Sequence, residues 1–253
     1  MNLRSIVLDD IGAANSIDSA AIDLTEKGIA TGVSIFVNGI TDVSKFARYK
    51  DKIQLGLHLT FSYGRPISKI SDLHYVDANG FFKMPSKPII ATNTEIERSV
   101  DEYICDLKQG MYSELKKECV AQFQQFISIF ESKPAFINVH HDLDRYEFVK
   151  DVIHDALPEY KTRAMLLEDK SVSYRYFCQF LQQSERYDEQ QRRVVDLIKS
   201  GIDYSKHHGL SEVVFHPAKS EAGLMDFSSY NTMRVAEYSI LMGEAVQELL
   251  STH

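Results

Sequence analysis

The sequence predicts an α/β protein and, within that class, a (β/α) barrel in preference to an open doubly wound sheet. Two observations predict it. Apolar runs alternate with stretches of helical period along most of the chain. Four of the apolar runs also end, on their C-terminal side, in polar residues able to bind a metal: Ser5 to Asp10 (SIVLDD), Gln54 to Thr60 (QLGLHLT), Ile137 to Asp144 (INVHHDLD) and Glu212 to Pro217 (EVVFHP). Residues two apart share a face of a strand. Leu55, Leu57, Leu59 and Phe61 therefore lie opposite Gln54, Gly56, His58 and Thr60, and Ile137, Val139 and Leu143 opposite Asn138, His140, Asp142 and Asp144. The polar face reads as the rim of a site.

Met1 to Asp10 reads as the first strand. Ser16 to Lys27 is a helix with Ile17, Ala20, Ala21 and Leu24 along one side, and Gly28 ends it. Ala30 to Val37 is the second strand, closed by Asn38-Gly39; Val43 to Tyr49 is a short helical stretch, and the run holding His58 is the third strand. That order predicts parallel strands with helical crossovers. From about 63 to 92, Gly64, Pro66, Gly80, Pro85 and Pro88 interrupt any period, so a long irregular loop of the kind that lines substrate sites is expected. Thr94 to Phe130 has helical period with a break near Gly110, and Pro134 precedes the His140 strand. Tyr146 to Leu157 is a helix closed by Pro158, Thr162 to Leu167 a short strand, Tyr174 to His208 mostly helix, Glu212 to Phe215 the last strand and Thr232 to Leu250 the last helix.

With 253 residues and 44% hydrophobic content, the chain is long enough for one large domain, expected over 1–253. A net charge of -8 without a basic cluster argues against a nucleic-acid surface and suits a neutral or cationic small substrate. Cys105, Cys119 and Cys178 make neither a disulfide framework nor a zinc ribbon, which leaves buried thiols in a reducing compartment. The absence of a secretory signal and of any long apolar segment gives the expectation of a soluble cytoplasmic protein with no membrane partner.

A hydrolytic divalent-metal site needs hard or borderline donors, open positions and a base nearby. Asp10, His58 and His140 could supply one carboxylate and two imidazoles, with Asp9 as the base. Neighbouring strand residues face opposite ways, so Asp9 and Asp10 can share a site only if the chain turns, and Ile11-Gly12 is the expected place. His216 could protonate a leaving amine or steady an oxyanion, and Arg163, from a strand-like segment, could orient Asp9 or bind a substrate hydroxyl. Alternation lets only one of His140 and His141 face the site, and His140 is the choice. Plainer readings exist: Asp-Asp as a turn or helix cap, a strand histidine as a hydrogen-bonded core residue, Asp142 and Asp144 as a solvated strand end, and His-Pro at 216 as a strand terminator.

Several stretches together resemble the YdjC-type carbohydrate deacetylases. They are Ile6 to Gly12, Gly28 to Gly39, Leu55 to Thr60 with Gly64 and Pro66, Gly80-Phe-Phe82, Glu118 to Gln122, Asn138 to His141, Glu212 to Pro217, and Ser228 to Asn231 with Arg234 and Glu237. The resemblance spans nearly the whole chain. It implies an irregular (β/α) barrel of the glycoside hydrolase/deacetylase type that removes N-acetyl groups from amino sugars or chitooligosaccharides, and a homodimer. The aromatic group Tyr174, Tyr176 and Phe177 also reads as a dimer surface. The resemblance also implies one divalent ion held by Asp10, His58 and His140, with Asp9 as base and His216 near the reacting group; magnesium or zinc suits these donors, and manganese or cobalt is accepted. The chain departs from the family pattern at Ile11, where Phe is usual, at Ala218, where Gly is usual, and at Asp142 and Asp144, where His is common. Carboxylates there add negative charge near an ion, and Asp142 could be a further ligand or could orient His140. The alternatives are a metal-dependent hydrolase of another amide or ester, and a weakly active sugar-binding barrel.

Overall fold

The structure is a computed structural model that describes residues 6–68, 76–83, 112–168, 172–176, 186–208, 210–224 and 230–252. Its strands are β1 (Ile6–Ile11), β2 (Gly32–Ile35), β3 (Gln54–Leu59), β4 (Ile137–Val139), β5 (Val172–Tyr176) and β6 (Leu210–Phe215). All pair in parallel, in the order β4-β3-β2-β1-β6-β5. The helices are α1 (Asn15–Glu26), α2 (Tyr112–Phe130), α3 (Glu147–Ala156), α4 (Arg163–Glu168), α5 (Tyr187–His208), α6 (Asn231–Leu241) and α7 (Glu244–Ser251), with 3-10 turns at Val43–Tyr49 and His140–Arg145.

The sheet curls into a half-barrel, and side-chain contacts measure the curl. β1 and β4 stand three strand spacings apart, about 14 Å in a flat sheet. Yet Asp10 of β1 reaches His140, just past β4, at 3.2 Å. The outer edge of β4 gains one parallel bridge, Ile137 to Thr162. From there Arg163 crosses the interior to Asp9 on β1 and Glu212 on β6. The fold is an irregular (β/α) barrel.

The two faces of the sheet differ in chemistry. Ile6, Leu8, Val33, Ile35, Leu55, Leu57, Leu59, Ile137, Val139, Val213 and Phe215 form one apolar core with Ile17, Leu24, Phe126, Ile153 and Ile198 of the helices. On the concave face lie Val7 and Asp9, Gly32 and Ser34, Gly56 and His58, Asn138, Glu212 and Val214, all buried. Gly56 is required there, because a Cβ at that position would run into the Phe136 ring. Phe136 thus floors the barrel and leaves the C-terminal strand ends for polar groups.

Most elements fall where periodicity puts them. α1 buries Ile17, Ala20, Ala21 and Leu24 and ends at Gly28 with φ 72°. Three expectations need correction. Thr162 to Leu167 is not a strand: after the single bridge at Thr162 the chain enters α4, so Arg163 projects from a helix N-terminus. The segment from Tyr174 opens in β5, whose residues pair with β6 in register Tyr174 to Glu212, before α5 begins at Tyr187. The last helix breaks into α6 and α7 at Gly243, whose backbone is extended at φ -70°, ψ 156°.

The expected helix over 94–111, most of the loop over 63–92, Cys105, Phe177 and Cys178 lie outside the described residues. Cys119 is buried in α2. Among the described residues, no helix is long and apolar enough to cross a membrane.

Candidate metal centre

The site begins with a bulge in β1. Leu8 pairs with Val33 but Ile11 with Ile35, three residues of β1 against two of β2. The extra residue is Asp10, with φ 68°. Left-handed backbone suits aspartate better than most residues, and an extra residue on one strand re-aims a side chain. Ile6, Leu8 and Ile11 therefore keep to the outer core, while both Asp9 and Asp10 point inward. The turn that lets them share a site is at Asp10 itself, not at Ile11-Gly12. Gly12 follows at φ 103°, where a Cβ would meet the Phe36 carbonyl oxygen at 2.8 Å. Asp18 of α1 fixes this corner by accepting from the Gly12 N–H at 2.8 Å and from the Thr41 hydroxyl at 2.5 Å.

Asp10, His58 and His140 converge. Asp10 Oδ1 lies 3.2 Å from His58 Nε2 and 3.2 Å from His140 Nδ1. The two imidazole nitrogens are 3.3 Å apart. Among the described residues these three form the one cluster of metal-competent side chains, with all donor atoms within 4.8 Å of one another. Each imidazole is steered by a neighbour. Ser34 Oγ lies 3.0 Å from His58 Nδ1, which turns Nε2 toward Asp10. The His140 ring stacks on His141 at 3.9 Å and meets the Phe36 ring edge-on at 5.0 Å. His141 instead lies 2.9 Å from Ser62 Oγ, and of the two histidines it is His140 that stands in the cluster.

These donors fit a divalent ion. Donors around a tetrahedral ion at about 2.0–2.1 Å stand roughly 3.3–3.4 Å from one another, close to the spacing seen. Asp10 Oδ1, moreover, is buried beside the two imidazole nitrogens and accepts no hydrogen bond of ordinary geometry among the described residues, and burying such an oxygen is costly unless something compensates its charge. The charge balance points the same way. Asp9, Asp10, Glu212 and Glu237 are buried carboxyl groups against the two buried guanidiniums of Arg163 and Arg234.

Asp9 has a different environment. Arg163 Nη1 donates to Asp9 Oδ2 at 2.9 Å, while its Nε and Nη2 donate to Glu212 Oε1 at 2.9 and 2.6 Å. The Asn138 amide oxygen also faces that guanidinium. Burial raises the Asp9 carboxyl, but Arg163, with His58 and His216, outweighs it and holds the carboxyl below its usual range. For Asp10 burial is outweighed further, by Arg234 first and then by the two imidazoles.

His216, at the end of β6, is half-buried. Its N–H donates to Glu237 at 2.5 Å and its carbonyl accepts from Arg234 Nη1 at 3.3 Å. Its Nδ1 is buried without a hydrogen-bond partner among the described residues. Burial pushes the His216 imidazole down to about 4, so it is neutral at pH 7. Burial likewise pushes Glu237 up to about 7, against the pull of the His216 N–H and of the Tyr230 hydroxyl at 2.8 Å.

Asp142 and Asp144 are not part of the cluster. β4 ends at Val139, and residues 140–145 form a turn in which His141 and Asp142 have φ of 61° and 51°. Alternation does not survive that turn, and Asp142 pairs with Arg145 at 2.9 Å. Ser34, Glu212, Arg234 and Glu237 carry site contacts that residue pattern did not assign. Ser34 and Glu212 could have been found by inward alternation of their strands; Arg234 and Glu237 come from a helix more than 200 residues beyond Asp10 and leave no such signal.

The chain matches the family model described as YdjC-like protein over residues 5–252. It belongs to the YdjC-like family. A carbohydrate deacetylase of Clostridium beijerinckii is 22% identical to this YdjC-like chain over 251 residues, spanning 96% of the chain and 92% of that protein. A chitooligosaccharide deacetylase of Yersinia enterocolitica is 22% identical over 253 residues, spanning 95% and 90%. A solved structure from Enterococcus faecalis V583, described as a candidate cellobiose-phosphate cleavage protein, superposes with a TM-score of 0.68 at 18% identity, covering 98% of this chain and 93% of that one. That last likeness is one of fold.

Proposed function

We propose that this YdjC-like protein is a divalent-metal-dependent deacetylase that removes the N-acetyl group from an amino sugar or chitooligosaccharide. The observation that carries the reading is the meeting of Asp10 Oδ1, His58 Nε2 and His140 Nδ1 around one point, with Asp9 next in the chain. The relatives named as carbohydrate and chitooligosaccharide deacetylases supply the substrate class.

Asp10, His58 and His140 would hold the ion. When bound, it supplies a Lewis acid for the acetyl carbonyl and lowers the pKa of water. One carboxylate and two imidazoles favour zinc and accept magnesium, manganese or cobalt. Asp9 is the proton acceptor. Arg163 fixes its orientation and lowers its basicity, so it takes a proton only from an acidified donor. His216 is neutral in the resting protein; its Nδ1 offers a hydrogen bond to the reacting group and, once protonated, a strong acid for the departing amine.

Acetate release from N-acetylglucosamine and its oligomers, measured with zinc, magnesium, manganese or cobalt after removal of bound ions, tests the reading. Release with at least one ion and none with chelator is expected. Release only from other amides or esters would move the substrate class, and sugar binding by calorimetry without product would replace the enzyme with a binding barrel.

A further inference from the structure

Helix α6 lies against both halves of the site through two residues one turn apart. Arg234 Nη2 donates to Asp10 Oδ2 at 2.6 Å, and its Nη1 reaches the His216 carbonyl at 3.3 Å. The Arg234 carbonyl accepts the Ala218 N–H at 3.0 Å, and Glu237 accepts the His216 N–H. Arg234 and Asp10 are almost wholly buried, 4% and 1% exposed. At that depth a charge-assisted bond is firm and the guanidinium cannot move away into solvent.

The consequence concerns how Asp10 can serve a cation. A carboxylate ligates through one oxygen or through both. Oδ2 is occupied by a guanidinium, whereas Oδ1 faces the two imidazole nitrogens. A second donation from Asp10 would require breaking the Arg234 bond in a buried place. Resting on the metal reading above, we propose that Arg234 is a positioning residue that confines Asp10 to a single donor oxygen, keeping the cation at three protein donors and leaving its remaining positions open. A hydrolytic site needs those open positions for water and for the substrate carbonyl. The restraint costs affinity, because a fixed positive charge beside the ligand opposes a cation and one carboxylate oxygen is withheld.

The sign of the effect separates this role from ordinary structural support. Loss of mere support loosens cation binding, as removal of an outer hydrogen-bond partner usually does. Loss of the restraint frees Oδ2, removes a like charge and tightens binding. Calorimetric titration of the ion-free whole protein with zinc, cobalt, magnesium and manganese, for wild type, Arg234→Gln and Arg234→Lys, reads the difference. Arg234→Gln is expected to bind on the order of tenfold more tightly with a lower kcat for acetate release, and Arg234→Lys, which keeps the charge, to stay within about threefold of wild type. Should ion-free Arg234→Gln be too unstable to titrate, the rise in its melting temperature on adding the ion serves instead, and a larger rise than wild type shows is expected. Weaker or unchanged binding, or a smaller rise, overturns the proposal while leaving the metal reading intact. Wild type that binds none of zinc, cobalt, magnesium and manganese overturns both.

Discussion

Asp9 and Asp10 are neighbours in the chain, both buried and both in the barrel interior, yet they sit in two unlike regions. Asp9 belongs to a closed ion cluster: Arg163 spans it and Glu212, with side-chain exposures of 3%, 2% and 0%. Asp10 belongs to a half-open one: Arg234 holds one oxygen, and the other faces His58 and His140. The difference teaches how one short strand end can present two acids for separate work. The bulge at Asp10 turns it inward beside Asp9, and the guanidinium each acid meets then decides whether it is enclosed or left facing a site. In both regions a buried negative charge persists because a fixed positive group, rather than water, compensates it.

The largest effect should come from opening the closed cluster. Arg163→Met leaves Asp9 and Glu212 buried without their counter-charge, and breaking such a buried pair costs about 3–5 kcal/mol. Urea unfolding of the variant at neutral pH should show that loss. A change under about 1 kcal/mol would mean that the Arg163 cluster opens to solvent and that the two regions do not differ in enclosure.

The next prediction concerns pH. Asp9 and Asp10 are both held below 3.8, so their contribution to ion-free stability is present above that value and lost as pH falls through the lowered ones. His216, depressed from 6.5 to about 4, also costs stability as pH falls between those values, because the unfolded chain protonates first. Glu237, raised from 4.5 to about 7, works the other way: its contribution is full below 4.5 and is lost as pH rises to about 7. Between pH 4.5 and 6.5 the two nearly cancel, which predicts a flat profile for the ion-free protein and a steep loss below pH 4. Glu237→Gln removes one side of the balance. Its stability should fall from pH 6.5 toward 4, by about 1.4 kcal/mol per pH unit at most. A flat profile in that variant would show that His216 is not held neutral by burial.

How far the site could be read beforehand follows from what each residue depends on. His58 was legible because β3 is a plain strand: Leu55, Leu57 and Leu59 face the helices, so Gly56 and His58 face inward. Phe61, expected on the outer side, is also buried in the outer core. Asp10 was legible as a candidate donor but not in its geometry, because period-two reasoning cannot see a residue that breaks the period. Arg163 was legible as a partner for Asp9, whereas its helix was not, since Thr162 takes part in only one bridge before the chain turns. Arg234 and Glu237 stood in a matched stretch without a role. A helix surface shows its inward side only once its partners are known, and α6 reaches Asp10 of β1 and His216 beyond β6 across nearly the whole chain. The strand ends could be derived locally; the groups that restrain them could not.

The smallest effect tests the turn at His140 to Arg145. Asp142 was expected to share the His140 face, two residues on in a strand. With φ of 51° at Asp142 the chain has left the strand, and the carboxylate meets Arg145, whose side chain is 58% exposed against 22% for Asp142. Such a pair is screened by water and worth at most about 1 kcal/mol. Asp142→Asn should therefore shift the urea midpoint of unfolding little, and less still at high salt, where a surface attraction is damped within about 10 Å. The comparison with Asp9 and Asp10 gives the result its meaning. All three are acids at C-terminal strand ends, Asp9 and Asp10 on β1 and Asp142 beyond β4, and only for the two inside the barrel should removal of the paired arginine be severe. If Asp142→Asn instead destabilised the protein by several kcal/mol, in the range of a buried ion pair, the Asp142 carboxylate would have to be compensating a buried charge. The division between the enclosed acids and the partly exposed Asp142–Arg145 pair would then fail beside His140, the ligand candidate of that turn.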